Sequence, residues 1–145
     1  MTRFSEATGR PVISTESAST VGVIAGFIIG LTSKRIVALR LSKTNVEGDT
    51  LHWEDLTAFG PDAVTVPSEA VIVPAREPAS ELSLEEADVV GKRLLSDAGA
   101  ELGMVEDVEF DPATGALQNL VSAADRVAGD RLIACGSYAV IVHAV

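Results

Sequence analysis

Thr20-Val-Gly-Val-Ile-Ala-Gly-Phe-Ile-Ile-Gly-Leu31 carries no charge, and the uncharged region around it runs from Ser17 to Ser33, between Glu16 and Lys34. Two folds compete for such a stretch. A membrane helix needs about 20 apolar residues, so this run stands near the lower limit. Gly22, Gly26 and Gly30 recur at the four-residue spacing that packs membrane helices together. A buried β-strand needs only a short apolar run bounded by turn-forming residues. The decision comes from further along the chain, where the same pattern is stated a second time.

The first statement has Gly9-Arg-Pro-Val12, Val21-Gly22-Val23, Arg35-Ile-Val-Ala-Leu39, Asp49-Thr-Leu51 and Gly60-Pro-Asp-Ala-Val-Thr-Val66. The second has Gly91-Lys-Arg-Leu94, Leu102-Gly103-Met104, Gly115-Ala-Leu-Gln-Asn-Leu120, Asp130-Arg-Leu132 and Gly136-Ser-Tyr-Ala-Val-Ile-Val142. Order is kept and spacing nearly so, which is the signature of an internal repeat. The alignment lays Val23–Gly30 on Met104–Asp111. In the second copy that segment holds Glu106, Asp107, Glu109 and Asp111, a density of acids that lipid does not accept. Val108 and Phe110 alternate with Glu109 and Asp111, the period of a strand with one solvated face. Residues 22–30 are therefore expected to form a strand, with no membrane span. Asp111-Pro-Ala-Thr-Gly115 is a turn by its chemistry, with Pro fixing φ and Gly returning the chain.

Composition narrows the function classes. The chain has 145 residues, a formal net charge of -10 and basic clusters no longer than Lys34-Arg35 and Lys92-Arg93. Sequence-independent nucleic-acid binding requires clustered cations, and aromatics are 4% of the chain, so no direct nucleic-acid partner is expected. Cys135 is the single cysteine, which excludes an internal disulfide and suits a reduced compartment. The N-terminus lacks a basic region followed by an apolar run and a cleavage site. A cytoplasmic protein is expected.

No catalytic, cofactor or metal site is expected. His52 and His143 are the two histidines, and neither stands at ligand spacing to another His or Cys. The acids around Val108 alternate along a strand rather than converging from a loop as calcium requires, so a solvated strand face is the expectation. The glycines at 22, 26 and 30 have no Gly-Lys-Ser/Thr and no following helix, so they hold no phosphate.

The repeated pattern resembles the PRC-barrel family. The resemblance is carried by Gly9 to Val12, Val21-Gly22-Val23, Arg35–Leu39 and Gly60–Val64 in the first copy. In the second it is carried by Leu102–Val108, Phe110-Asp111, Thr114-Gly115 and Gly136–Val140. It covers nearly the whole chain. The first copy departs from the family by lacking the acidic positions, with Gly30-Leu-Thr-Ser33 in place of Asp-Pro-Ala-Thr-Gly. The resemblance implies a mainly β protein of two tandem small β-barrels, similar to the cytoplasmic domain of the photosynthetic reaction-centre H subunit and to the C-terminal domain of a ribosome maturation factor. Its boundaries would be 1–73 for repeat 1 and 89–145 for repeat 2. The acidic, proline-containing connection 74–88 would have room for one helical turn at Ser83–Glu86.

What the resemblance implies about activity is a non-catalytic adaptor acting through protein partners and self-association, with a homodimer as one form. Two alternatives remain open: an accessory factor in ribosome assembly that binds a ribosomal protein, and a small-ligand or metal binder in a cleft between barrels. For the adaptor, the candidate interface comes from comparing copies. Ala25, Ile28 and Gly30 stand where copy two has Glu106, Glu109 and Asp111. Apolar residues at outward positions suggest a covered surface. Phe27 lies among them, and Trp53 is added because tryptophan is enriched in interface hot spots.

Overall fold

The computed structural model describes residues 2–74, 83–85, 89–123, 125–136 and 138–144. The fold is mainly β. In chain order the strands are β1 (Thr2–Arg3), β2 (Pro11–Ser14), β3 (Ser19–Gly30), β4 (Arg35–Ser42), β5 (Thr50–His52), β6 (Ala58–Phe59), β7 (Val64–Val66) and β8 (Ile72–Val73). They continue with β9 (Ser83–Glu85), β10 (Arg93–Ser96), β11 (Glu101–Met104), β12 (Asp107–Phe110), β13 (Leu117–Val121), β14 (Arg126–Ala128), β15 (Leu132–Cys135) and β16 (Ala139–Val142). One helical turn, α1 (Phe4–Ala7), follows β1. Short 3-10 turns cover Trp53–Asp55, Glu69–Val71 and Gly129–Arg131. The opening stretch is β3, as the alternation in the second copy requires. Among the described residues no helix is long and apolar enough to cross a membrane.

The repeat is written in the backbone hydrogen bonds. β2 pairs antiparallel with β3 and parallel with β7; β10 does the same with β11 and β16. Gly9 N–H donates to Ile24 O at 2.8 Å, and Gly91 N–H to Val105 O at 2.7 Å. Both glycines take positive φ, +93° and +89°. Gly60 N–H reaches Ala63 O at 3.0 Å, and Gly136 N–H reaches Ala139 O at 3.1 Å. The second half of β3 corresponds to β12, β4 to β13, β5 to β14 and β6 to β15. The register bears this out, since Phe27 faces Leu39 and Leu51 follows, as Val108 faces Leu120 and Val127 follows. The described pairings run as open paths: β6-β7-β2-β3-β4-β5-β8 with β9 added on β3, then β1-β12-β13-β14, then β11-β10-β16-β15.

Each repeat's first strand lies in the other repeat's sheet. β1 pairs with β12, setting Thr2 opposite Phe110 and Arg3 opposite Glu109. β9 pairs with β3, setting Leu84 opposite Ile29 and Glu85 opposite Ile28. Counted from Gly9 and Gly91, Thr2 and Leu84 occupy the same place in their repeats. Ser83–Glu85 is thus extended, not the helical turn that the serine and acids suggested. Its backbone groups complete the edge of β3, which a helical turn would leave open; Glu86 of that expected capping box lies outside the described residues. A second reciprocal contact joins the repeats near Arg35 and Ala116, which form a bridge. Ile36 N–H donates to Gly115 O at 2.8 Å and Leu117 N–H to Lys34 O at 3.0 Å. These two bonds exchange when the repeats are exchanged, the mark of an isologous contact.

One hydrophobic cluster spans both repeats. At its centre Phe4 stacks on Phe27, ring centroids 4.2 Å apart, and both lie 5.7 Å from Phe110. Phe59 and Trp53 extend it, stacked on each other at 5.4 Å, with Phe59 edge-on to Phe110 at 5.4 Å. Offset and edge-on aromatic pairs of this kind add to the apolar burial. All four phenylalanines and the single tryptophan are in this one group.

Candidate interaction surface

The alternation of β12 suggested acids on a solvated face, and the structure overturns that for two of them. Asp107 and Glu109 are 8% and 6% exposed. The covering element is the strand exchanged from repeat 1, together with α1. Asp107 accepts hydrogen bonds from the Ser5 hydroxyl and from Ser5 N–H at 3.3 Å, and its own strand's Val108 N–H lies 2.9 Å away. Glu109 lies between Arg3 and Arg126, with Nε atoms at 3.4 Å and 3.5 Å, and accepts from Asn119 Nδ2 at 3.0 Å. A buried carboxylate is tolerated only with such partners. These acids join β1 to β12; among the described residues no group of three or more His, Cys, Asp or Glu could hold a metal ion.

The residues singled out for an interface are divided by the fold. Phe27 is 1% exposed, inside the aromatic cluster, and Gly30 is buried where β4 and β9 flank it. Ala25 is exposed. Ile28 is half-buried, between Ala38 on β4 and Glu85 on β9. Trp53 is half-buried and packs against the core. Ala25, Ile28 and Trp53 therefore keep some surface.

Sequence comparison of the copies missed a larger difference, which lies in what covers each repeat. In repeat 1 the connection between β4 and β5 is long. A Cβ built on Gly22 would stand 3.2 Å from Leu41 Cδ1 and from Thr44 Cγ2. Thr44 Oγ1 donates to Gly48 O at 2.9 Å, and Gly48 has no room for a Cβ because the Val73 backbone is 2.3 Å from its place. The loop and β8 so make a continuous cover. Beneath it Val21 is 3% exposed, with Asn45 and Ser68–Ala70 beside it around a depression of about 440 Å³. The connection between β13 and β14 is short, and among the described residues β14 is the last strand of its sheet. A Cβ on Gly103 would meet only Ser122, at 3.6 Å. Leu102 is half-buried, Gly103 exposed and Met104 56% exposed.

Met104 has neighbours of interface character. It faces Arg93 across the β10–β11 ladder. The Arg93 guanidinium lies 5.0 Å from the Tyr138 ring centroid and donates to the Tyr138 hydroxyl at 2.7 Å. Tyr138 is 67% exposed. Repeat 1 has Pro11, Val23 and Asp62 in the corresponding places. Tyr, Met and Arg are the residue types enriched where proteins meet. The unequal loop lengths were visible in the sequence, but their role as covers was not.

No protein-family model matches the chain, and no curated protein matches it.

Proposed function

We propose that this chain is a non-catalytic adaptor, a cytoplasmic scaffold of two tandem PRC-barrel-like repeats that acts by holding protein partners and by self-association. The observation that carries the reading is the contrast between a conserved frame within the chain and an unequal surface upon it. Backbone pairings, glycine positions and the core repeat from copy to copy. The exposed residues do not: Arg93, Met104 and Tyr138 replace Pro11, Val23 and Asp62. A duplicated frame with one copy carrying exposed Tyr, Arg and Met suits recognition. The repeated order of glycine and aliphatic landmarks supports the family resemblance, and small barrels are its expected form.

The test is reconstitution. The tagged chain is expected to draw one protein from its native cells that re-forms a complex of fixed stoichiometry with it from purified components. Ile28→Asp, checked for an unchanged melting transition, is expected to weaken that complex if the β3 surface takes part in docking. A chain that sediments as a monomer at all concentrations, and re-forms no complex with any recovered protein, contradicts the reading.

A further inference from the structure

We propose that the depression of about 440 Å³ in repeat 1 binds a small neutral polyol of the sugar or sugar-alcohol class. It lies between the β2–β3 turn and the 3-10 turn that joins β7 to β8. Val21, 3% exposed, lies beneath it, and Ala70 adds a second apolar group. The volume falls within the range of small-ligand sites, which combine apolar surface with a few fixed polar groups. The walls are tied together by the backbone. Ala18 N–H donates to Ser14 O at 2.8 Å and Thr15 N–H to Val66 O at 2.9 Å. Ser68 Oγ accepts from Ala70 N–H at 3.2 Å. A site held in this way costs little further ordering when a ligand arrives.

The polar groups set the chemistry of the ligand. Ser14 ends β2 and is 2% exposed, yet it lines the depression. Its oxygen accepts from Ser17 N–H at 3.4 Å, and among the described residues its proton has no acceptor. The Ser17 and Ser19 hydroxyls are taken up with each other at 2.6 Å. A buried donor in this position calls for a partner. Glu16 on one turn and Glu69 on the other also line the site. Both are exposed, and among the described residues neither has a cation within 4 Å. Asn45 brings an amide from the β4–β5 connection. No Lys, Arg or His stands among the described lining residues, so two carboxylates repel an anionic ligand with nothing to offset them. An ammonium would suit the carboxylates but carries no acceptor for the Ser14 proton. A ligand hydroxyl donates to a carboxylate and accepts from Ser14 at once. The C–H surface between such hydroxyls suits Val21 and Ala70.

The probes are glucose, galactose, mannose and myo-inositol, with 1,4-diaminobutane as the ammonium comparison. Nuclear magnetic resonance titration of the full chain is expected to move the amides of Ser14–Ser19 and Ser68–Ala70 with at least one of the four polyols. The shifts are expected to saturate below about 50 mM, which covers millimolar single-site binding. Affinities for the four are expected to differ by about threefold or more, because a built site ranks stereoisomers and a solvent effect does not. Glu69→Gln, at an exposed position, is expected to weaken the tightest of them about fivefold, and Ser14→Ala by a similar factor. Glu16→Gln, also at an exposed position, keeps the test open if Ser14→Ala does not fold. Four results overturn the proposal: no shift with any of the four polyols; shifts that never saturate or are equal for all four; saturation by 1,4-diaminobutane with no response to the polyols, which would make this an ammonium site; or unchanged binding in both Glu16→Gln and Glu69→Gln. The reconstitution that tests the adaptor reading is independent of all four.

Discussion

Phe4 is fully buried, stacked on Phe27 from one repeat and tilted against Phe110 from the other. It enters the core at the start of α1, a turn of only four residues. So short a turn has no stability of its own; it is held by Phe4, by Asp107 receiving Ser5, and by the β1–β12 ladder. Phe4→Ala should lower unfolding free energy by about 3–5 kcal/mol, read from chemical denaturation. A loss below about 1 kcal/mol would mean that the N-terminal segment is not part of the core. Glu109 shows how a residue's environment escapes sequence reasoning. Its alternation with Val108 and Phe110 was legible, but alternation assumes that one face meets water. Arg3, more than a hundred positions away, removes that water, and nothing near Glu109 in the sequence announces it.

The hairpins of the two repeats differ at their tips in an instructive way. Gly115 takes φ +80° and Lys34, its counterpart, takes φ +54°. Both carbonyls accept from the opposite repeat. A Cβ on Gly115 would stand 3.0 Å from Trp53 Cε2 and 3.2 Å from Ile36 O. Gly115→Ala should therefore cost about 1–2 kcal/mol through backbone strain and crowding, and should shift the fluorescence of Trp53, the chain's single tryptophan. Unchanged emission and stability would contradict the contact between hairpin tip and indole. The hairpin β12–β13 and its Asp-Pro-Ala-Thr-Gly turn were readable because Pro fixes φ and Gly admits the positive φ that the turn needs. β3 was readable only through its second copy. β9 was not: it is joined to β3 by main-chain bonds, which any residue type can make, and it lies among prolines and acids that signal a connection. The covers of repeat 1 were equally silent, since a long loop carries no mark of what it lies upon.

At the scale of the molecule, the duplicated order of glycines and aliphatic runs made the tandem organisation legible, and the structure adds how the copies depend on each other. Each gives its first strand to the other, and the Ile36–Gly115 and Leu117–Lys34 bonds repeat that reciprocity at the hairpin tips. The chain is thus arranged as a two-fold dimer whose subunits are joined end to end. Neither half completes its own sheet, and the aromatic cluster draws on both, so the halves should fold and unfold together. The most direct measurement is to place a protease site between Glu77 and Glu81, cut the folded chain there, and follow its mass by sedimentation. The account predicts that the cut protein stays at the 15.1 kDa of the whole chain in native buffer and separates only on unfolding in denaturant. Two independent fragments in native buffer, each retaining its own β-structure, would contradict it.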